Sequence, residues 1–209
     1  MYNGEKLNSI SHLVGAVFAL IGLGALLTVG FQSGDVRLTA SFTIFGLTLV
    51  LLYTMSTLYH SFRPPKLKQL FKLFDHISIY LLIAGSYTPY MLVSLKDGSG
   101  PTIMTIVWML AGLGTLSEIF LSGKAVKIGQ VLIYLGMGWA CAFDLAGLRA
   151  ALSEPGYFWL TAGGIAYTAG VVFYVLDKMN RLQHAHGIWH FFVLAGSGCH
   201  FVSIIGYVR

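Results

Sequence analysis

Charge is scarce in this sequence. Only 10% of its 209 residues are Asp, Glu, Lys or Arg, against about a quarter in soluble domains. That deficit excludes an ordinary water-facing surface and points to lipid as the solvent. Cysteine is scarcer still. Cys141 and Cys199 each lie inside an apolar stretch and read as small buried hydrophobes rather than as a disulfide. Nothing in the chain reads as a soluble domain, a linker, a low-complexity tract or an internal repeat. The net charge is +5, but no basic stripe is interleaved with aromatics, so no nucleic-acid partner is expected. The opening Met-Tyr-Asn-Gly-Glu-Lys is short and mixed in charge. The apolar run behind it lacks a small-x-small cleavage site, so a cleavable signal peptide is not expected.

What is present in quantity is apolar side chain, 56% of the residues. A bilayer core of about 30 Å takes about 20 apolar residues of helix. Seven segments meet that length: 11–31, 38–61, 75–95, 101–121, 125–148, 156–176 and 187–208. Open strands cannot satisfy their backbone groups in lipid, so the segments are read as helices. The expectation is an all-α chain, one seven-helix transmembrane bundle over 1–209, in which short connections make sequence neighbours spatial neighbours.

The basic residues orient it. Lys6, Arg63, Lys66, Lys68, Lys72, Lys124, Lys127, Lys178 and Arg181 fall on the side holding the N-terminus; Arg37, Lys96, Arg149 and Arg209 fall on the other. Nine against four places the N-terminus in the cytoplasm and the C-terminus outside. Tyr157, Phe158 and Trp159 suit the outer interface, and Tyr59, Phe62 and Trp189 the inner one. Small residues four apart, Ser11–Gly15–Ala19 and Ala162–Ala166–Gly170, allow close helix packing. Pro89 should kink the third helix, with Thr88 helping to satisfy the freed carbonyl.

Ionisable side chains within spans cost roughly 2.5–3.5 kcal/mol each near the centre and need a reason. His186 and His190 are four apart at the start of the seventh helix, on one face and one turn apart. This spacing suits chelation, and also two interfacial histidines. His184, about 160° around from that pair's face by helical geometry, is left in the loop. The second helix ends inside, so His60 lies at its cytoplasmic end. The third and seventh start inside, which brings Asp75 to the level of His186 and His190. Three neutral imidazoles leave a fourth position open to water, the pattern of catalytic zinc. Asp75 is placed to accept a hydrogen bond from such a water and serve as base. Ser56, one turn from His60, is placed to bind the water or an oxyanion, unless its hydroxyl bonds back to its own helix. His76 reads as a headgroup-level side chain or rival ligand, and His12 as a cap or cavity-lining residue. His200, about 15 Å beyond His190, reads as lining a cavity or bonding another helix. Glu118 and Asp144 read as snorkelling or interhelical bonding.

These residues sit in recognisable strings: Asn8-Ser-Ile-Ser-His12, Ser56-Thr-Leu-Tyr-His60, Phe74-Asp-His-Ile-Ser-Ile-Tyr-Leu-Leu-Ile-Ala-Gly-Ser-Tyr-Thr-Pro89 and His186-Gly-Ile-Trp-His190. Over nearly its full length the chain resembles the bacterial haemolysin III family, of the progestin and adipoQ receptor superfamily. The resemblance implies zinc held by His60, His186 and His190, Asp75 holding the zinc water, and Ser56 beside them. The related adiponectin receptors are similar to zinc-dependent ceramidases. The short loops here offer little surface to a protein hormone, and seven apolar spans do not suit a secreted, water-soluble toxin. The expected function is a zinc-dependent hydrolase of an acyl amide or ester bond in a membrane lipid. It would sit in the bacterial inner membrane, metal site near the cytoplasmic face, with a role in lipid or fluidity homeostasis. The alternatives are a sensor or receptor with structural zinc, or a haemolysin-like pore or transporter. Seven histidines without a His-x-x-His-His box are too few for the eight-histidine di-iron site of membrane desaturases.

The topology is testable by fusion. A reporter joined at Arg209 should be active only when displayed outside the cytoplasm; activity confined to the cytoplasm would overturn the orientation.

Overall fold

The structure, a computed structural model, describes residues 1–2 and 4–209. Among the described residues it is all helical, with seven helices long and apolar enough to cross a membrane. In chain order they are α1 (Lys6–Ser33), α2 (Val36–Ser61), α3 (Pro65–Pro89, continued by a π-helical turn Tyr90–Ser94), α4 (Gly100–Phe120), α5 (Lys124–Gly138), a 3₁₀ turn (Ala140–Asp144), α6 (Leu145–Ala151), α7 (Glu154–Lys178) and α8 (Ala185–Tyr207). The fifth span is α5 together with the 3₁₀ turn and α6.

Local chemistry explains the boundaries. Gly34 closes α1 in the left-handed region at φ +68, open to glycine without steric cost. Asp35 caps α2 through the backbone N–H groups of Arg37 and Leu38, at 2.7 and 3.2 Å. Pro65 opens α3 at the first turn, where its missing N–H costs nothing. The third helix therefore starts ten residues before the apolar segment beginning at Asp75. Its extra turns carry Lys66, Lys68 and Lys72, and a helix continues past the apolar zone wherever water takes over as solvent.

Two spans depart from regular helix. After Pro89 the chain widens into the π turn. Thr88 Oγ1 donates to the Ala84 carbonyl at 2.9 Å and accepts the Trp108 indole N–H at 3.2 Å. The carbonyl that Pro89 leaves without its helical donor is that of Gly85, so Thr88 relieves its neighbour instead. In the fifth span the helix breaks at Gly138. The Tyr87 hydroxyl donates to the Gly138 carbonyl at 2.8 Å and accepts the Cys141 N–H at 2.9 Å. Irregular backbone at membrane depth persists where protein groups satisfy it in this way. Asp144 then caps α6 through Gly147 N–H at 2.8 Å and accepts from the Ser99 hydroxyl at 2.5 Å, the interhelical bond open to it from sequence.

The packing order runs α1 on α2, α2 on α3 and α3 on α4, while α7 packs on α8 and α8 closes back on α1. On α1 the stripe Ser11, Gly15 and Ala19 is buried; a Cβ at Gly15 would come within 2.6 Å of the Tyr53 ring. On α7 the close-packing face is Gly163 and Gly170 rather than Ala162, Ala166 and Gly170, because Gly163 receives the His200 ring and Gly170 the Trp189 ring. Large apolar side chains such as Phe18, Phe31, Phe120 and Phe143 face outward, while His12, Ser56, His60, Gln130 and His190 are buried. Polar inside and apolar outside is the arrangement lipid selects. Cys141 and Cys199 are free.

Because α5 bears only lightly on its neighbours, a cavity of about 420 Å³ opens among α3, α5, α7 and α8. It runs along α3 from Asp75 to Tyr90 and Met91, about 22 Å at the helical rise. The histidine pair of α8 lines one end of it.

Candidate metal centre

The end of α2 and the first turns of α8 bring His60, His186 and His190 together. Their ring centroids are 4.8–5.0 Å apart, and one potential ligand atom from each lies within 4.8 Å of the others. Tetrahedral zinc with bonds of about 2.0–2.1 Å needs these nitrogens closer than that upper bound, a shift that side-chain torsions supply.

The orientation of each ring carries the argument. His60 Nδ1 lies 2.6 Å from Glu5 Oε2. His186 Nδ1 lies 3.2 Å from Asp177 Oδ2. His190 Nδ1 lies 3.2 Å from the Asn8 carbonyl and 3.2 Å from the Ser11 hydroxyl. In each case an acceptor assigns the proton to Nδ1, which donates, and leaves the Nε2 lone pair for the centre. His60 Nε2 is buried with no hydrogen-bond partner, and a buried unpaired nitrogen needs an occupant. Histidine metal sites are built this way, with carboxylates and carbonyls behind the ligands fixing tautomer and ring direction. The three residues present fit a zinc ion.

Sequence reasoning missed these supports. Glu5 and Asn8 are three apart, one helical turn, at the start of the first apolar run. The Asn8 side chain donates to Glu5 at 2.9 Å, and the Lys68 ammonium donates to Glu5 at 3.1 Å. Burial raises the Glu5 pKa, but the bonds from His60, Asn8 and Lys68 outweigh it and bring the carboxyl down to about 2. Asp177 carried no signal beyond being an acid at the end of a span.

The remaining candidates fall into place around the cluster. Asp75 and Ser56 line the same cavity as His186 and His190. Thr57 donates its hydroxyl to the Tyr53 carbonyl of its own helix at 2.7 Å, whereas Ser56 faces the cavity. His12 is buried, stacked flat on His190 at 3.6 Å and edge-on to Tyr53 at 5.1 Å, and lines the cavity without joining the three-histidine group. His76 stands apart from the three-histidine group. It lies 3.2 Å from Glu118, and the Tyr134 hydroxyl reaches the His76 carbonyl at 3.2 Å and Glu118 at 3.4 Å. This ties α3, α4 and α5 together and makes Glu118 an interhelical group. His184 is exposed and precedes α8 with left-handed backbone at φ +61. His200 sits deeper on α8, lining the cavity and edge-on to Tyr167 at 5.4 Å.

Seven apolar helices around a buried three-histidine group define a multi-pass membrane protein with a metal-competent centre. The chain belongs to the family described as Haemolysin-III related, whose model matches residues 1–201. It is similar to Hemolysin-3 of Bacillus cereus, at 38% identity over 98% of this chain and 91% of that protein. It is equally similar to the Hemolysin-3 homolog of Bacillus subtilis (strain 168), at 38% identity over 97% and 93%. Monocyte to macrophage differentiation factor of Homo sapiens matches at 28% identity over 96% of this chain and 83% of that protein.

Metal analysis of the purified protein should find about one zinc per chain. The double variant His186→Ala/His190→Ala should hold none, and Glu5→Gln should bind zinc about 10–100-fold more weakly. Full occupancy in the double variant would mean that other residues are the ligands.

Proposed function

We propose that this protein is a zinc-dependent hydrolase of an acyl amide or ester bond in a membrane lipid, acting at the cytoplasmic face of a bacterial inner membrane, where it adjusts lipid composition or fluidity. The observation that carries the reading is the opening of the histidine cluster onto a long, largely apolar cavity that Asp75 and Ser56 also line. A purely structural metal is closed by protein on all sides; this one would face the space a lipid fills.

His60, His186 and His190 would hold the zinc. When bound, the metal supplies a Lewis acid and lowers the pKa of a coordinated water towards about 7. The chain's own residues do the rest. The cavity walls hold the acyl chain among the helices and keep bulk water out. Asp75 takes the proton from the attacking water and passes it towards the leaving amine or alcohol. The Ser56 hydroxyl donates a hydrogen bond to the oxygen on which negative charge develops. Glu5, Asp177 and the Asn8 carbonyl keep each imidazole in the tautomer that presents Nε2.

Asp75→Asn separates chemistry from metal binding. It keeps the shape and removes the charge and the base. Zinc content should stay near the wild-type value, while release of acyl chain from a panel of membrane lipids should fall about 10²–10⁴-fold. Both are to be measured on one preparation. Wild-type release by the variant would remove Asp75 from its role. If the wild type releases nothing from any lipid in the panel, the hydrolase reading fails in favour of a sensor with structural zinc.

A further inference from the structure

At the end where α3, α5 and α8 begin and α7 ends, basic side chains edge the cavity. Lys127 in the first turn of α5 and Lys178 at the end of α7 both line the cavity. Lys72 of α3 lies within electrostatic reach of both. The three ammonium groups thus come from three helices: Lys127 and Lys178 line the cavity, and Lys72 stands near both. Their counter-charges are few. Lys178 pairs with its neighbour Asp177, at 3.4 Å, and Asp177 is shared with His186. Glu118, the other carboxylate near Lys72, is engaged by His76 and Tyr134. Among the described residues, Lys72 and Lys127 make no ion pair. Lys68, by contrast, is already held by Tyr2 and Glu5.

A positive inner side accounts for how many lysines stand at this end of a bundle. It does not account for two of them turning into the cavity beside the histidine cluster. Gathered like charges repel, and a site that keeps them together stabilises an anion there. The order of groups along the cavity says where that anion belongs on a ligand. The apolar walls running to Tyr90 and Met91 take the acyl chain, and the histidine cluster takes the carbonyl. The lysines then meet whatever is bonded to the far side of that carbonyl.

We propose that Lys72, Lys127 and Lys178 bind an anionic head group, so that the lipid taken up is an acyl amide or ester whose non-acyl portion carries a carboxylate or phosphate. This deepens the hydrolase reading and rests on it for the position of the carbonyl. Neutral acyl amides of the same length become the poorer ligands. Selection arises at the head and not along the chain.

The test is binding without turnover, on the full-length, zinc-loaded Asp75→Asn protein in detergent. The probes are N-oleoylglycine and N-oleoylethanolamine, which share the acyl chain and the amide and differ in ending in a carboxylate or a hydroxymethyl group. Equilibrium dialysis at low salt should give about tenfold tighter binding of the glycine amide, the size expected of two or three partly exposed charge contacts. The preference should shrink as salt shortens the screening length from about 10 Å at 0.1 M to about 3 Å at 1 M. Adding Lys127→Gln and Lys178→Gln should erase it while leaving zinc content and melting temperature unchanged, since both side chains are largely exposed. N-acetylglycine should not displace the lipid; if it did, the lysines would be a site for small soluble anions and the lipid proposal would fall. Equal binding of the two amides, or a preference that survives the lysine variants, would overturn the inference and leave the hydrolase reading standing. Retained preference with no cleavage of either amide by wild type would do the reverse.

Discussion

Three imidazoles held side by side, two of them buried and the third largely so, must each have a partner for the nitrogen that carries the proton. An unpaired buried donor costs about 1–3 kcal/mol, so the cluster obliges the chain to bring acceptors to it. They arrive from three places: Glu5 just ahead of α1, the Asn8 carbonyl within α1, and Asp177 near the end of α7. The acceptors and the rings they hold therefore bind the ends of α1, α2, α7 and α8 to one another. The contact of α8 with α1, which closes the ring of helices, runs through His190, Asn8 and Ser11, and through the stacked pair His12–His190. What orients the ligands also closes the bundle.

The cavity has a second origin, in backbone that is not regular helix. Pro89 ends the hydrogen-bond ladder of α3 and the chain widens into a π turn, while the fifth span breaks between Gly138 and Leu145. Tyr87 and Asp144 satisfy the groups that the break exposes. A continuous fifth helix would have had no need of either. As it is, α5 stands off from α7 and leaves room beside the histidine cluster.

Much of this could be read from residue order. Seven apolar runs required seven helices, because lipid offers the backbone no other way to pair its polar groups. The spacing of His186 and His190, and the alternation of helix direction that puts His60 and Asp75 at the same end, pointed to one end of the bundle, and there the fold groups His60, His186 and His190. The third helix was read too short because hydropathy reports where lipid ends, not where helix ends. The break in the fifth was missed because glycines and one aspartate in an apolar run have bland explanations. The partner of His76, Glu118, could not be read at all, because it is 42 residues away, beyond any local pattern.

By itself, then, the order of residues determined the solvent, the number of helices, and which histidines share an end, since all three follow from composition, length and helical period. Only the tertiary structure decided which nitrogen of each ring faces the centre, that Glu5 and Asp177 stand behind two of them, that His12 stacks on His190 instead of joining the ligands, and that the lysines and the histidines share one cavity. The reason is that these are contacts between groups far apart along the chain, up to 182 residues. Such contacts depend on how helices rotate and approach one another, and helical period within one segment says nothing about that.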